Sequence, residues 1–316
     1  MKSKYFSFFL LIISFLTFSV RYSFAQTFNV ELQLKNQPDN TIVFGSVKGD
    51  DFTAIDSTSL KQSFGKVNFT FPQDAHPGVY RINLGTTTAG KILNETPQFL
   101  DFIFDNENLV FDTDYKAPVG NLKIIKSKEN TAWFGFLAKD KVIRQNIELL
   151  ANEIDNYWLK GDTAKVISKA NDFNQLQMER DMFISKTLDE NRGLFASLMI
   201  KNLREPLRDG YLTPDERKQA HKKEFFKTVE FSDPLLITSS IYTDNIFKYL
   251  VNYNQYDFTQ EKRETEYIKA LDLIVPNIKS NDEVYRFLMA YLVHGFNVLD
   301  MDNVISYISK KYNFPQ

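Results

Sequence analysis

The chain has 316 residues, a formal charge of −2 at pH 7 and no cysteine. That composition excludes disulfides, a thiol nucleophile and a thiolate metal site. Its charge of either sign is interspersed, which argues against a nucleic-acid partner, since that would require a basic stripe.

The N-terminus reads as a secretory leader over residues 1–25. Lys2 and Lys4 lie in a short polar start, Phe6 to Val20 is an almost unbroken apolar run, and Ser23-Phe24-Ala25 offers small residues for cleavage after Ala25. The apolar run is short for a membrane span, which needs about 20 residues. An uncleaved N-terminal anchor is the alternative. Cleavage removes three basic residues and leaves a mature chain at −5. The expected location is the periplasm or envelope of a Gram-negative-type bacterium, with no stable membrane span after cleavage.

Residues 26–126 hold seven of the 12 glycines and five of the 10 prolines, and their apolar period is two. Phe28, Val30, Leu32 and Leu34 alternate with polar residues, as do Val67, Phe69 and Phe71, then Tyr80, Ile82 and Leu84. Leu100, Phe102 and Phe104 form another set, and further strands are expected over 42–47, 52–60, 109–111 and 122–125. Polar and Gly/Pro segments separate them: Gln37-Pro38-Asp39-Asn40, Gly49-Asp50-Asp51, His76-Pro77-Gly78 and Asp105-Asn106-Glu107-Asn108. About eight short strands predict an antiparallel β-sandwich or barrel. The abundant rings, 29 Phe and 15 Tyr, are expected to fill cores.

From Ser127 the period becomes helical, giving an α+β chain with a helical domain over 127–316. Ile143, Ile147, Leu150, Ile154 and Tyr157 form a 4-3-4-3 seam, and Lys160-Gly161-Asp162 breaks it. Val166, Ala170, Phe173, Leu176 and Phe183 continue on a second helix, so a long antiparallel helical hairpin is expected. Thr213-Pro214-Asp215-Glu216 is a helix start with a capping box, and Ser280 with Glu283 is read as another. Six to eight helices are expected between 128 and 312, with the two halves packed together.

Local signals for chemistry are few. His76, His221 and His294 are far apart and form no His-x-His or His-Glu-x-x-His pattern. His76 reads as a turn residue, His221 as part of a solvated helix face, and His294 as a residue near a helix C-terminus. The acidic run at 105–108 lacks the oxygen ligand and the glycine of a calcium loop and reads as a hairpin turn. No Gly-x-Ser-x-Gly elbow, phosphate loop or dinucleotide fingerprint is present. No catalytic, cofactor-binding or metal-ligating residue is assigned, and no cofactor is expected.

Ile55-Asp56-Ser57-Thr58, Gly65-Lys66-Val67-Asn68-Phe69 and Pro77-Gly78-Val79-Tyr80-Arg81-Ile82 resemble a bacterial envelope domain of unknown function. That domain precedes the thioredoxin-like domain of TlpA-like and peroxiredoxin-like thiol-disulfide oxidoreductases. The segment from Phe102 to Phe111 resembles its closing hairpin. Ser127-Lys128-Glu129-Asn130 resembles the junction to the helical region, and Asp282–Phe296 with Met301–Tyr312 resemble its last helices. The thioredoxin-like domain with its Cys-x-x-Cys is missing here, so the family's redox activity transfers to no residue of this chain.

The leading expectation is a non-catalytic exported binding or scaffolding protein, like the accessory part of such an oxidoreductase. Its partner would be an envelope protein or peptide, with a separate thioredoxin-like protein or a second copy in a homodimer as options. The alternatives are an oxidoreductase truncated before its thioredoxin domain, a hydrolase with dispersed carboxylates, and a surface adhesin or glycan-binding protein. Trp133 and Trp158 fall in predicted helices, which counts against an aromatic glycan platform.

Overall fold

A computed structural model describes residues 27–60 and 63–315. The leader expected over 1–25, and the cleavage point before Gln26, lie outside the described residues. The chain is mixed α+β. Among the described residues eight strands come first: β1 (Asn29–Gln37), β2 (Asn40–Lys48), β3 (Asp51–Leu60), β4 (Ser63–Thr70), β5 (Gly78–Gly85), β6 (Gln98–Phe104), β7 (Leu109–Asp114) and β8 (Lys123–Lys126). A short helix α1 (Thr88–Ile92) interrupts them. Among the described residues the strands form two four-stranded sheets, ordered β4-β1-β7-β8 and β3-β2-β5-β6, and no closed barrel.

Alternation puts the same residues inside that period two selects. Val30, Leu32, Leu34, Phe44, Ile82, Leu84, Leu100 and Phe111 are fully buried. Side chains from both sheets join one apolar cluster. Phe44 is its hub, with Phe69, Phe71 and Tyr80 rings at 5.2, 5.2 and 5.8 Å. Phe71 stacks on Phe104 at 3.8 Å.

Two expectations fail in the strand pairing. The sheets are not wholly antiparallel, because β1 and β7 pair in parallel from Val30–Leu109 to Lys35–Asp114. Nor is 105–108 a hairpin turn, because β6 and β7 belong to different sheets. Asp105-Asn106-Glu107-Asn108 instead carries the chain across, with Asn106 in the left-handed region at φ 51°. Phe104 and Leu109 on either side of it both reach the same cluster, so the crossing keeps both strands' apolar faces inward.

Eight α-helices follow among the described residues: α2 (Lys128–Leu159), α3 (Thr163–Glu190), α4 (Phe195–Lys201), α5 (Pro214–Glu224), α6 (Ile241–Val251), α7 (Gln260–Asn277), α8 (Asp282–Val298) and α9 (Asp302–Tyr312). Ser127 caps α2 by accepting from the Asn130 N–H. Helices α2 and α3 form the expected hairpin. Phe136 stacks on Phe183 at 5.3 Å, Asp140 pairs with Arg180 at 2.7 Å and Glu153 with Lys169 at 2.7 Å, so partners run in opposite order along the two helices. Ile147, Ala151, Ile154, Val166 and Phe173 form the seam between them.

Thr213 and Glu216 make the expected capping box on α5. At α8 the cap is Asn281, which accepts from the Glu283 and Val284 N–H groups. Ser280 does not cap; its hydroxyl donates to the Phe231 carbonyl at 2.8 Å, tying α8 to the loop before α6. An Asx side chain one residue later reaches the same orphan donors, which is why the Ser-x-x-Glu spacing misleads here.

Strand and helical regions share a core. Val47, Val79 and Ile103 are buried among Ile237, Ile241, Leu288 and their neighbours. Gly49 turns β2 into β3 at φ 59°, and its N–H donates to the Ile237 carbonyl at 2.9 Å. A Cβ there would meet the Phe287 ring at 2.6 Å, so the turn requires glycine on both counts. Thr243 donates to the Asp50 carboxylate at 2.8 Å beside it. Tyr291 faces the same carboxylate; burial first, and Asp50 second, push its phenol up to about 12.

Candidate functional site

The site is a cleft of about 550 Å³ between the helical hairpin, the 205–208 loop, α5 and α6. The hairpin brings Glu148, Ala151 and Asp155 on one face of α2. The capped start of α5 fixes its phase and places Arg217 and His221 one turn apart, on the same face. Helix α6 contributes Lys248 and Val251.

The arginines are held from below. Phe173, fully buried on α3, lies under both guanidiniums, 5.4 Å from Arg208 and 5.8 Å from Arg217. Such contacts contribute roughly 0.5–2 kcal/mol as the site dries. The Gln177 amide clamps the loop by accepting from the Arg208 N–H and donating to the Arg208 carbonyl, both at 2.9 Å. Asn174 accepts from the Gly210 N–H at 2.9 Å further on. The loop that carries Arg208 is therefore fixed from α3.

Arg208 donates to Glu148 at 2.6 Å. Arg217 is 5% exposed, and its Nη2 donates to Asp155. Its Nη1 is buried and has no hydrogen-bond partner. His221 packs edge-on against Phe225 at 5.7 Å, and its Nδ1 is likewise buried and unpartnered. Each such orphaned atom costs about 1–3 kcal/mol unless something satisfies it. Burial pushes the His221 ring below the ordinary histidine value, the Arg208 charge adds to that, and Glu205 and Glu148 oppose it. The imidazole is thus neutral at pH 7.

The charges nearly cancel. Arg208, Arg217, Lys218 and Lys248 face Glu148, Asp155 and Glu205. Once the two arginine pairs are set aside, Lys218, Lys248 and Glu205 are left, and none of the three makes an ion pair among the described residues. A second, shallower groove runs past Lys222, Lys223, Lys227 and Lys269, with Lys222 over the Tyr253 ring at 3.9 Å. No buried side-chain nitrogen or oxygen along it lacks a partner among the described residues.

Of the three histidines, His76 lies in the loop before β5, where its carbonyl accepts from the Tyr80 hydroxyl at 3.1 Å. His294 sits in α8 near its C-terminal end. His221, expected on a solvated face, is half-buried and lines the cleft. Lys222 and Lys223 diverge from it around the helix, and the ring turns inward against Phe225. Among the described residues, no group of three His, Asp or Glu side chains converges as a metal-ligand set.

Two buried carboxylates serve the architecture, while Gln37, Trp158 and Arg204 also hold buried polar atoms without a hydrogen-bond partner. Glu129 accepts from the Phe195 and Ala196 N–H groups at 3.0 and 2.8 Å and so caps α4. Asp140 is fully buried between Arg180 and Arg144 at 2.7 and 2.8 Å. No helix among the described residues is long and apolar enough to cross a membrane. Comparison with protein-family models, with curated proteins and with solved structures found no match for this chain.

Proposed function

We propose that the chain is a non-catalytic exported binding or scaffolding protein whose recognition site is the cleft between the hairpin, α5 and α6. The observation that carries this reading is a cleft open to solvent lined by Lys218 and Lys248, which make no ion pair among the described residues, and by Arg217 and His221, each of which also holds one buried polar atom without a partner. A site held by Phe173 and Gln177, yet left with unsatisfied hydrogen-bonding capacity, is organised to receive something. The occupant in this proposal is a segment of an envelope protein or peptide. The proposal also takes the two sheets as a sandwich, and the whole as similar to the accessory region that precedes the redox domain of TlpA-like oxidoreductases. The order of elements, strands and then helices with the change at Ser127, is the one the switch of apolar period predicts.

The test is a pull-down from the periplasm with wild-type chain and with K218E/K248E. A partner recovered by the first and lost with the second, while the melting temperature holds, is the expected outcome. Metal-independent hydrolysis abolished by one carboxylate substitution, without loss of folding, would replace this reading by an enzyme. Export is tested separately: protein recovered from the envelope should begin at Gln26.

A further inference from the structure

We propose that Met178 and Met182 on α3 form a reversible oxidation site, each taking an oxygen atom from a peroxide and giving it up to a thiol-dependent methionine sulfoxide reductase. The proposal is independent of the reading of the cleft.

Methionine carries all the sulfur of this chain, because it has no cysteine. Five of the six methionines fall among the described residues, and they divide into two groups. Met199, Met289 and Met301 are 4%, 0% and 3% exposed and belong to the core that the strands and helices share. Met178 and Met182 are 50% and 63% exposed and belong to none of the apolar clusters. Oxidation of a thioether follows the access of the oxidant to its sulfur, so the two groups differ in reactivity as well.

The exposed pair is held in place by the rest of its helix. Met178 and Met182 lie one turn apart on α3 and so share a face. Arg180, midway between them in sequence, is turned the other way. It is buried against Asp140 at 2.7 Å and donates to the Leu203 carbonyl at 3.0 Å. Gln177, buried beside Met178 in sequence, clamps the Arg208 backbone. These ties fix the rotation of α3 and keep both thioethers turned to solvent. Packing does not call for methionine here: leucine has much the same helix propensity, and neither side chain fills a gap in a core. What methionine brings that leucine lacks is an oxidisable sulfur.

In the forward step a sulfur lone pair attacks one peroxide oxygen. The S–O bond forms, the O–O bond breaks, and the other oxygen leaves as water. Sulfur loses two electrons and the peroxide gains them. The return step needs two electrons and two protons. Two thiols of the reductase supply both as they join in a disulfide, and the oxygen leaves as water. With no cysteine, this chain cannot run the return step itself, so the reductase is a separate protein. A sulfoxide is polar. On the solvated face of α3 it displaces no packed neighbour, whereas at Met199 or Met289 it would enter the core.

The test is graded hydrogen peroxide on the full chain, with peptide mass mapping to read each methionine separately. Met178 and Met182 should oxidise at least about tenfold faster than Met199, Met289 and Met301, and the melting temperature should hold when both are sulfoxides. M178L/M182L should melt like wild type, and its three core methionines should stay reduced over the same period. Methionine sulfoxide reductases of both epimer specificities, supplied with dithiothreitol, should return the pair to thioether, and dithiothreitol alone should not. Equal oxidation rates at all five positions overturn the proposal. So does a melting temperature that falls when only the pair is oxidised, since the two side chains would then be part of the packing. Sulfoxides that both reductases leave in place overturn its reversibility.

Discussion

The Asn130 side chain pairs with the backbone of Ile103 as a neighbouring strand would. The Ile103 N–H donates to Asn130 Oδ1 at 2.8 Å, and Asn130 Nδ2 donates to the Ile103 carbonyl at 2.7 Å. β6 is the outer strand of its sheet, so at Ile103 these groups have no strand to pair with. The first turn of α2 covers the edge there, and one amide meets both groups. Edge strands left open invite pairing with other chains, and this one is closed by a side chain from the helical region.

Asn130→Ala should therefore destabilise the protein by about 2–4 kcal/mol, since it strands a buried donor and a buried acceptor at once. Asn130→Asp is the discriminating control. It keeps the acceptor for the Ile103 N–H and turns a carboxylate oxygen toward the Ile103 carbonyl, so it should be at least as costly. Urea unfolding monitored by tryptophan fluorescence measures both. Stability equal to wild type in both variants would mean that the edge finds water or another partner.

Ile147 sits in the middle of the hairpin seam, 4% exposed, among Ala151, Ile154 and Phe173. Ile147→Asp buries a carboxylate there with nothing to pair with it and should cost about 3–5 kcal/mol. Ile147→Val, which removes one methylene, should cost only about 0.5–1.5 kcal/mol. Thermal melts of the two variants give the contrast. If the aspartate variant melts like wild type, the residue faces solvent and the seam is wrongly assigned.

Ile147 was legible in sequence because a seam is a local pattern, repeated every three or four residues along one helix. The strand faces were legible for the same reason: Val30, Leu32 and Leu34 alternate, and all three are buried. Strand partners were not, because alternation says which way a side chain points and nothing about which strand lies alongside. The parallel β1–β7 pair and the crossing at 105–108 both follow from that gap. The change at Ser127 was visible as a change of period, but the roles within Ser127-Lys128-Glu129-Asn130 were not. Glu129 reaches α4 and Asn130 reaches β6, contacts 66 or 67 and 27 residues away in the chain. The cleft was hidden for the same reason, its wall being drawn from α2, a loop, α5 and α6. One local signal was present: the capping box at Thr213 fixes the phase of α5 and puts Arg217 and His221 on one face.

Glu129 should give stability a downward slope in mildly acidic solution. Burial raises its carboxyl above the ordinary value of 4.5; the Ala196 and Phe195 N–H groups oppose that, and the Asp105 and Glu107 charges reinforce it. The folded state then keeps a proton that the unfolded chain has released, so stability falls as pH rises from 4.5 through the raised value. Glu129→Gln removes the titration. It should flatten that part of the curve, at a cost of about 1–2 kcal/mol at pH 7 from the loss of one of the two helix-capping acceptors. Denaturant midpoints of both proteins between pH 4 and 8 test the sign. A wild-type curve that rises across the window would contradict it.

Asp272 on α7 is the fastening for the last helix. Its Oδ1 accepts from the Tyr307 hydroxyl at 2.6 Å, from Lys311 Nζ at 2.7 Å and from the Tyr312 hydroxyl at 2.7 Å. Burial alone would raise this carboxyl, but the bonds from Lys311, Tyr307 and Tyr312 together hold it below 3.8. The stabilisation is therefore present above 3.8 and is lost as pH falls through the depressed value. Because the carboxylate is 40% exposed, water screens the pair with Lys311 and the whole fastening is expected to contribute only about 1 kcal/mol. Its effect should be local. Asp272→Ala should speed amide exchange along 302–312 while leaving the hairpin at 128–190 protected as in wild type, because the apolar face of α9 formed by Val304, Ile305 and Ile308 still packs on the core. Hydrogen-exchange mass spectrometry reads both segments in one experiment. Uniformly faster exchange in both would show that Asp272 supports the global fold, and unchanged exchange in both would show that α9 is held by its apolar face alone.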